Sequence, residues 1–513
     1  MTTTQNPTTG STTAPNAGVG RDTSDRFAPI AALMETDAYK LGHIQQYRLA
    51  GDVQTVYSNW TNRGSREPGV THVVHFGLQA FLVRLEARFA PFFAADEDEV
   101  CALYEERLAQ ILGPNTIGSD HIRALHRRGT LPLRFSAVPE GTPVPLRVPS
   151  FTIENTEPEF FWLTNYLETV LSAEVWAPST SATIAREFRR VLDAGATRTG
   201  GAAAAVDWQG HDFSFRGMSS AESAAASSAG HLLSFTGTDS LVSLDWIERN
   251  YGGAYVAGSV PATEHSVMCA GTATIGERAM FKRLLGLYPA GIVSIVSDTF
   301  DLWTVLTDFL PSLRDEVLAR DGKVVIRPDS GDPVDILCGT DREPGGETPE
   351  ARGVIELLWD VFGGTVNAAG FRELDPHIGA IYGDSITRER AERIIDRLAA
   401  KGFCSTNVVF GVGSFTYQYR TRDTFMSAIK ATWAEVDGEP FELRKDPVTD
   451  SGVKRSAAGR LAVLRDAAGE LTLVERATPE QEAASELQPV WEDGAFVRFQ
   501  SFADVRRVLA EHA

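Results

Sequence analysis

The sequence is poor in cysteine and in long apolar runs. Its four cysteines, Cys101, Cys269, Cys338 and Cys404, are far apart in 513 residues and form no CxxC pair. Disulfide frameworks and zinc knuckles need closely spaced cysteines, so this pattern favours a reducing compartment. Because no run of about 18 apolar residues occurs, the sequence predicts no transmembrane helix. We therefore expect a cytoplasmic protein that does not act at a membrane.

Positive charge is also scarce. Lys and Arg total 48 against 68 for Asp and Glu, which gives a formal net charge of −20. Nucleic-acid-binding proteins usually present a basic surface, so this composition disfavours that class, while a locally positive pocket for a small anion stays compatible with it. The apolar fraction of 43% is ordinary for a globular protein. The chain length favours two domains or one large barrel with additions.

Three regions flank or precede the repeating part of the chain. Residues 1–27 are rich in Thr, Asn, Gly and Pro and lack the apolar segment of a signal peptide, so we expect a disordered tail. Residues 28–179 show a strand over 54–63, helices over 76–91 and 159–176, and short strands over 133–156. This pattern indicates a mixed α/β, β-rich domain. Residues 425–513 contain strand-like segments, which we expect to join the same β-rich domain.

Residues 180–424 have a regular rhythm, in which short apolar strands alternate with helices about seven times. This alternation is typical of parallel βαβ units that close into an α/β barrel. The active sites of such barrels lie at the carboxyl ends of the strands, so polar residues there are candidates for catalysis. The candidates at or just beyond the predicted strand ends are Arg216, Asp239, His265, Asp298, Arg327, Asp329 and Asp384.

Eight segments, in order, resemble the nicotinamide phosphoribosyltransferase family. They are HDFSFRGMSS, FTGTDS, SVPATEHS, SIVSDTFD, VIRPDSGDP, IYGDSI, FGVGSFTYQYRTRD and KDPVTDSGVKRSAAGRL. The resemblance extends from about Thr36 to Arg507, so only the N-terminal tail lies outside it. The Walker and dinucleotide glycine loops are not evident.

This resemblance implies a pentosyltransferase that joins nicotinamide to phosphoribosyl pyrophosphate, giving nicotinamide mononucleotide and pyrophosphate in NAD salvage. It further implies a homodimer with shared active sites, Mg²⁺ bound with the pyrophosphate, and stimulation by ATP through a phosphohistidine. The transition state of this transfer resembles an oxocarbenium ion. The enzyme must therefore align the two reactants and stabilise the charge on the leaving group.

The resemblance also assigns roles at the base. It places the flat pyridine ring between Phe213 and Arg327. It makes Asp239 the acceptor of the carboxamide hydrogen bond, and a carboxylate there would repel nicotinate. His265 matches the histidine that ATP phosphorylates, and imidazole suits this role when one nitrogen is held by a partner. Taken alone, Phe213 also fits core packing, and Asp239 also fits a helix N-cap.

Further matches concern the ribose, the phosphates and the partner subunit. The residues expected near the ribose and ring are Arg216, Asp298, Asp329, Gly383 and Asp384. Those expected near phosphate are Gly413, Arg422 and Lys430, with Lys445, Lys454 and Arg455 in a loop near the nucleotide phosphates. Those expected from the partner subunit are Asp37, Tyr39 and Arg63. One departure is that Ser414 places a Cβ in the family's three-glycine phosphate cradle, where only Gly413 matches.

Three other functions stay open. A nicotinate phosphoribosyltransferase shares the fold and the ATP-linked histidine, and Asp239 is the residue that discriminates against it. A non-catalytic nucleotide-binding barrel protein would not need the intact set of polar strand ends. An aldolase or isomerase would need a Schiff-base lysine or metal-binding carboxylates there, and none of the predicted strand ends carries a lysine.

Overall fold

The computed structural model describes residues 26–253, 256–340, 346–443 and 457–512. The predicted disordered tail, apart from its last two residues, lies outside these ranges, and so do Lys445, Lys454 and Arg455. The strands of the described residues are β1 Val53–Asn62, β2 His72–Val74, β3 Leu133–Ala137, β4 Pro143–Pro145, β5 Pro149–Asn155, β6 Gly210–Asp212, β7 Gly237–Thr238, β8 Val293–Val296, β9 Val324–Arg327, β10 Gly364–Val366, β11 Arg372–Leu374, β12 Ile378–Tyr382, β13 Val408–Val412, β14 Ser427–Val436, β15 Glu439–Glu442, β16 Leu461–Arg465, β17 Leu471–Glu475, β18 Gln488–Glu492 and β19 Ala495–Phe496.

Helices connect and cover these strands. The longer ones are Leu78–Ala94, Glu97–Leu112, Asp120–Arg128, Glu168–Thr199, Ala221–His231, Val242–Tyr251, His265–Ile275, Glu277–Leu287, Val354–Phe362, Arg388–Ala400 and Phe502–Ala510. The shorter ones are His43–Arg48, Trp162–Tyr166, Ala203–Val206, Leu302–Thr304, Leu310–Ser312, Arg314–Leu318, Pro333–Cys338, Pro349–Arg352, Ser414–Tyr417 and Pro479–Ala483. No helix in the described ranges has the length and apolar character needed to cross a bilayer.

A six-stranded sheet follows the order β7-β6-β13-β12-β9-β8, and its neighbouring strands are all parallel. Its two edges are joined through residues 258–263, where Gly258 bridges Gly237 and Ala262 bridges Ser294. The α/β class and a parallel half-barrel sheet are therefore confirmed. The predicted strand in SVPATEHS is wrong, because this segment forms single bridges and then begins a helix at His265.

Burial alternates along β9, which carries Arg327 at its end. In β9, Val324 and Ile326 are fully buried, whereas Val325 and Arg327 are partly exposed. Alternate side chains of a strand point to opposite faces, so the first pair packs into the core while Arg327 faces the other side. Hydroxyls at Ser220 and Thr387 cap the helices that follow two of the strand-end loops.

A second sheet is antiparallel and has the order β15-β14-β1-β5-β3-β18-β19. Its long central pair joins Val53 to Val436 and Asn62 to Ser427, so the N-terminal region and residues beyond 425 contribute to one sheet. The predicted boundary at residue 180 falls inside the continuous helix Glu168–Thr199. The single helix predicted over 159–176 is instead two helices, and the domain boundaries stay a prediction.

Candidate active site

The carboxyl ends of the parallel strands surround an open cavity of about 760 Å³. The sequence-predicted residues that line it are Phe213, Arg216, Asp239, His265, Arg327, Asp329, Gly383, Asp384 and Gly413. The others are Phe215, Ser240, Glu264, Ser266, Ser385, Ser414 and Phe415. The polar strand ends thus converge as parallel strands require, because their carboxyl ends share one edge.

Some lining residues were missed from the sequence, although each adjoins a predicted one. Ser240, Ser266 and Ser385 directly follow Asp239, His265 and Asp384. A strand's alternation predicts that such neighbours point away, but the chain turns at these positions.

Glu264 shows the same effect. A strand through His265 predicts that the adjacent Glu264 points the other way, but this prediction is wrong, because Glu264 is the N-cap residue of the helix that begins at His265 and it lines the cavity. Helical periodicity replaces the two-residue strand period there.

The ring of Phe213 packs against the backbone of two glycines, Gly383 and Gly411. A Cβ at Gly411 would come within 2.4 Å of the Phe213 ring, and one at Gly383 within 3.1 Å. The imidazole of His211 lies beside the ring, with centroids 4.9 Å apart. Phe213 is partly exposed to the cavity and is therefore not a core residue. Its flat face is available to a flat ligand.

Arg327 is anchored at one end of its guanidinium. Nη2 donates a hydrogen bond to the backbone oxygen of Thr263 at 3.0 Å. Its Nε is buried and has no hydrogen-bond partner among the described residues. A buried N–H group without a hydrogen-bond partner is costly. The Nε–H of Arg327 can therefore still donate a hydrogen bond at the cavity wall.

Asp239 is held by two donors. His211 Nε2 lies 2.9 Å from its Oδ1, and the Ser259 hydroxyl donates to the same oxygen. Among the described residues the structure shows no hydrogen bond to Oδ2. Burial raises the pKa of Asp239, but the two hydrogen bonds outweigh this effect and hold the pKa below its ordinary value. The side chain does not cap the next helix, whose N-cap residue is Leu241.

His265 has a partner near each ring nitrogen. Nδ1 lies 3.2 Å from the Thr299 hydroxyl, while Nε2 lies 3.9 Å from carboxylate oxygens of both Asp298 and Asp329. Asp298 Oδ2 accepts hydrogen bonds from the backbone N–H of Asp329 and the hydroxyl of Ser330. Asp298 Oδ1 is buried and has no hydrogen-bond partner in the described ranges. The imidazole is thus oriented, with one nitrogen toward two carboxylates.

The loop after β12 carries an unusual backbone conformation. Ser385 has φ +52°, and its hydroxyl donates to Asp384 Oδ2 at 2.7 Å. Nη1 of Arg390 donates to the Ser385 carbonyl. A left-handed non-glycine residue costs about 1 kcal/mol or more, and such strain is concentrated at functional sites. Across the cavity, Ser414 packs so closely on Gly217 that a Cβ at Gly217 would lie 2.0 Å from the serine hydroxyl.

Six predicted residues of the described ranges are not among those that line the cavity, namely Asp37, Tyr39, Arg63, Asp298, Arg422 and Lys430. Asp37 accepts a hydrogen bond from the Thr169 hydroxyl, Tyr39 is 64% exposed, Arg63 contacts the Met426 carbonyl, and Arg422 pairs with Asp423.

Lys430 lies in the same region as Arg63. Lys430 and Lys40 both pair with Glu168, at 3.7 and 2.8 Å. Burial lowers the pKa of Lys430, and the charge of Arg63 lowers it further. A polar cluster therefore lies next to the antiparallel sheet.

The carboxylates fit a metal ion that binds with its substrate. Among the described residues, no group of three or more His, Cys, Asp and Glu side chains could by itself hold a metal. Mg²⁺ commonly uses only one or two carboxylates together with substrate phosphates. Asp298, whose buried Oδ1 accepts no hydrogen bond from the described residues, and the neighbouring Asp329 have the donor chemistry for such a site.

The fold and the cavity define an α/β protein whose polar site lies at the carboxyl ends of parallel strands. A solved structure of nicotinate-nucleotide pyrophosphorylase from Pyrococcus furiosus matches the fold with a TM-score of 0.58 at 15% identity, covering 95% of this chain and 96% of that one. The profile of the nicotinate phosphoribosyltransferase (NAPRTase) family matches residues 208–494. The chain belongs to this family of enzymes.

Curated relatives extend the match to nearly the whole chain. The nicotinamide phosphoribosyltransferase of Acinetobacter baylyi is 48% identical over 503 residues, which cover 95% of this chain and 98% of the relative. The nicotinamide phosphoribosyltransferase of Mycoplasma pneumoniae is 36% identical over 443 residues, covering 83% of this chain and 94% of the relative. The resemblance drawn from the eight sequence segments is confirmed.

Proposed function

We propose that the protein is a nicotinamide phosphoribosyltransferase, which transfers phosphoribosyl from 5-phosphoribosyl 1-pyrophosphate to nicotinamide. The observation that carries this choice of base is Asp239, an anion held by His211 and Ser259 at the cavity wall. Its free oxygen can accept a hydrogen bond from a carboxamide N–H. Nicotinate would instead place a second carboxylate against it, which is unfavourable.

The transfer makes one bond and breaks one bond at the anomeric carbon. The ring nitrogen supplies the electron pair of the new N–C bond, and pyrophosphate leaves with the electrons of the C–O bond. Phe213 and Arg327 hold the flat ring so that its nitrogen faces the sugar, which provides proximity and orientation. Asp329 and Asp384 line the same cavity, where their carboxylates can accept hydrogen bonds from ribose hydroxyls and stabilise positive charge developing on the sugar.

Two cofactor roles belong to this proposal. Mg²⁺, held by Asp298 and Asp329, would neutralise the charge of the pyrophosphate. His265 would accept the γ-phosphoryl group of ATP, since Thr299 orients its ring and leaves Nε2 toward the cavity carboxylates. The proximity of two anions makes a cation necessary for that step, because a phosphohistidine adds negative charge beside them.

The proposed enzyme is a homodimer with composite sites. Asp37, Tyr39 and Arg63 do not line the cavity of their own chain, so a second copy would have to supply them. The helix His265–Ile275 supports an interface here, since it contains no Asp, Glu, Lys or Arg and buries only Met268. An uncharged, exposed helix next to the site fits burial against another protein surface.

Product analysis tests this function. Purified protein would be incubated with phosphoribosyl pyrophosphate, Mg²⁺ and either nicotinamide or nicotinate, with and without ATP. We expect nicotinamide mononucleotide and pyrophosphate in equal amounts, and much less product from nicotinate. An Arg327→Ala protein serves as control, because it loses one face of the base slot. Faster turnover of nicotinate would overturn the choice of base, and no product from either base would overturn the function.

A further inference from the structure

A buried carboxylate lies between the two strand ends that carry the base-binding residues. Asp212 is the last residue of β6, directly before Phe213, and it is fully buried. It does not line the cavity and has no part in the transfer described above. Burying a charge is costly unless hydrogen bonds satisfy it, so the burial of this carboxylate needs a structural explanation.

Three donors converge on Asp212. Oδ1 accepts the backbone N–H of Ser214 at 2.9 Å, and Oδ2 accepts the hydroxyls of Thr238 and Ser240 at 3.0 and 2.8 Å. The backbone oxygen of Asp212 also accepts the N–H of Asp239 at 3.0 Å. One residue therefore binds the segment after β6 and the segment after β7.

The pairing of β6 with β7 gives only a few backbone contacts between these two segments. β7 has only two residues, and its ladder with β6 has only two residue pairs, His211 with Gly237 and Asp212 with Thr238. Phe213 directly follows β6 and Asp239 directly follows β7, so both extend from the same carboxyl end of this short parallel ladder. Their separation thus depends on contacts beyond the ladder, which include the bonds to Asp212 and the hydrogen bond between His211 and Asp239.

A buried histidine that interacts electrostatically with Asp212 lies beneath a third loop of the cavity. His231 is fully buried, and its Nδ1 lies 2.6 Å from the hydroxyl of Tyr417. Tyr417 ends the short helix that begins at Ser414, a lining residue. Burial raises the pKa of Asp212, but His231 and the hydrogen bonds lower it overall, and burial lowers the pKa of His231 to about 4. At neutral pH Asp212 is therefore a carboxylate and His231 a neutral imidazole.

We propose that Asp212 is a positioning residue, which sets the separation between Phe213 and Asp239 and thereby the fit and selectivity of the nicotinamide slot. This inference rests on the proposed function of the cavity. A ring stacked on Phe213 reaches Asp239 with its carboxamide only if both lie at the right distance, and displacements of about 1 Å are enough to impair catalysis.

Asp212→Asn tests the proposal with minimal change of shape. The amide oxygen of Asn can keep the hydrogen bond from the Ser214 N–H. The amide NH₂ group would then face the hydroxyls of Thr238 and Ser240, which weakens the bonds between residue 212 and the segment that follows β7. We expect the KM for nicotinamide to rise and the preference over nicotinate to fall, each by about tenfold, as for a lost charged hydrogen bond. The KM for phosphoribosyl pyrophosphate should stay within about twofold, since its subsite is separate.

Two further variants separate positioning from general stability. Thr238→Val removes one donor to Asp212 without changing the side-chain volume. It should therefore change the KM for nicotinamide and the preference over nicotinate in the same directions but less strongly. If Asp212→Asn does not fold, Thr238→Val becomes the test of the proposal. Glu140→Gln is the matched control, because Glu140 is also a buried carboxylate, bonded to Tyr251 and Gln79, but does not line the cavity. It should change the Tm and leave the base preference unchanged.

The proposal is overturned if folded Asp212→Asn or, failing that, Thr238→Val keeps the wild-type KM for nicotinamide and the wild-type preference. It is also overturned if Glu140→Gln shifts the preference as much, because the effect would then be general. Calorimetric titration with nicotinamide makes the same comparison without turnover. A wild-type protein that binds nicotinamide but makes no product would contradict the proposed function, and the titrations would still test Asp212.

Discussion

Replacing Asp239 with Asn should change which base the enzyme prefers. The Asp239 Oδ1 accepts hydrogen bonds from His211 and Ser259, and the amide oxygen of Asn can accept both, so the local structure should be kept. The NH₂ group then takes the place of Oδ2. It would face the carboxamide N–H of nicotinamide donor to donor, whereas it could donate to the carboxylate of nicotinate.

The size of the change follows from the environment of the carboxylate. A hydrogen bond to a charged group contributes about 1.5–3 kcal/mol. The Asp239 side chain is 46% exposed, and solvent screening favours the lower end of that range. A loss of about 1.5 kcal/mol corresponds to roughly a tenfold drop in the ratio of kcat/KM for nicotinamide to that for nicotinate. Relief of the repulsion of nicotinate would enlarge the drop.

The assay measures kcat/KM for both bases on the wild type, on Asp239→Asn and on Asp245→Asn. The last is a matched control, since it makes the same chemical change on the exposed face of the next helix. The ratio should fall only for Asp239→Asn. If this variant is folded and keeps the wild-type ratio, the role assigned to Asp239 is wrong.

The wild-type preference should also respond to pH in one direction only. The pKa of Asp239 lies below its ordinary value, because the hydrogen bonds from His211 and Ser259 outweigh burial, so the carboxylate stays charged at neutral pH. The preference should be constant around neutrality and weaken only as the pH falls through that lowered pKa. A preference that titrates near neutral pH would contradict this assignment.

Three further predictions concern the slot, the dimer and ATP. Gly411→Ala places a Cβ 2.4 Å from the aromatic ring of the base slot and should raise the KM for nicotinamide, whereas Gly286→Ala, where the added Cβ meets open space, should not. Mixed dimers of an Arg63→Ala chain with an Arg327→Ala chain should regain activity that each homodimer lacks, since one composite site carries neither change. Verified heterodimers without activity would argue against shared sites. His265→Ala should lose acid-labile phosphate labelling from γ-labelled ATP and ATP stimulation but keep basal transfer, and label persisting on this variant would refute the assignment.

Much of the site could be predicted from local patterns. Apolar strand, polar end and helix recur along the chain, and parallel strands bring their carboxyl ends to one edge whatever their separation in sequence. That is why Asp239, Arg327 and Asp384 could be placed on one rim. The prediction failed where the local period changed. His265 begins a helix rather than ending a strand, so Glu264 turned out to face the cavity.

The amino-acid sequence by itself determined the order of strands and helices and the types of side chain at their ends, because these depend on neighbours a few residues away. Only the tertiary structure decided the distances between the residues of the site. It packs the Phe213 ring on Gly411, places His211 within hydrogen-bond distance of Asp239, and bonds Asp212 at the end of β6 to Thr238 at the end of β7. Such contacts join residues far apart in the chain. Their geometry follows from strand register and side-chain packing, which no local pattern encodes.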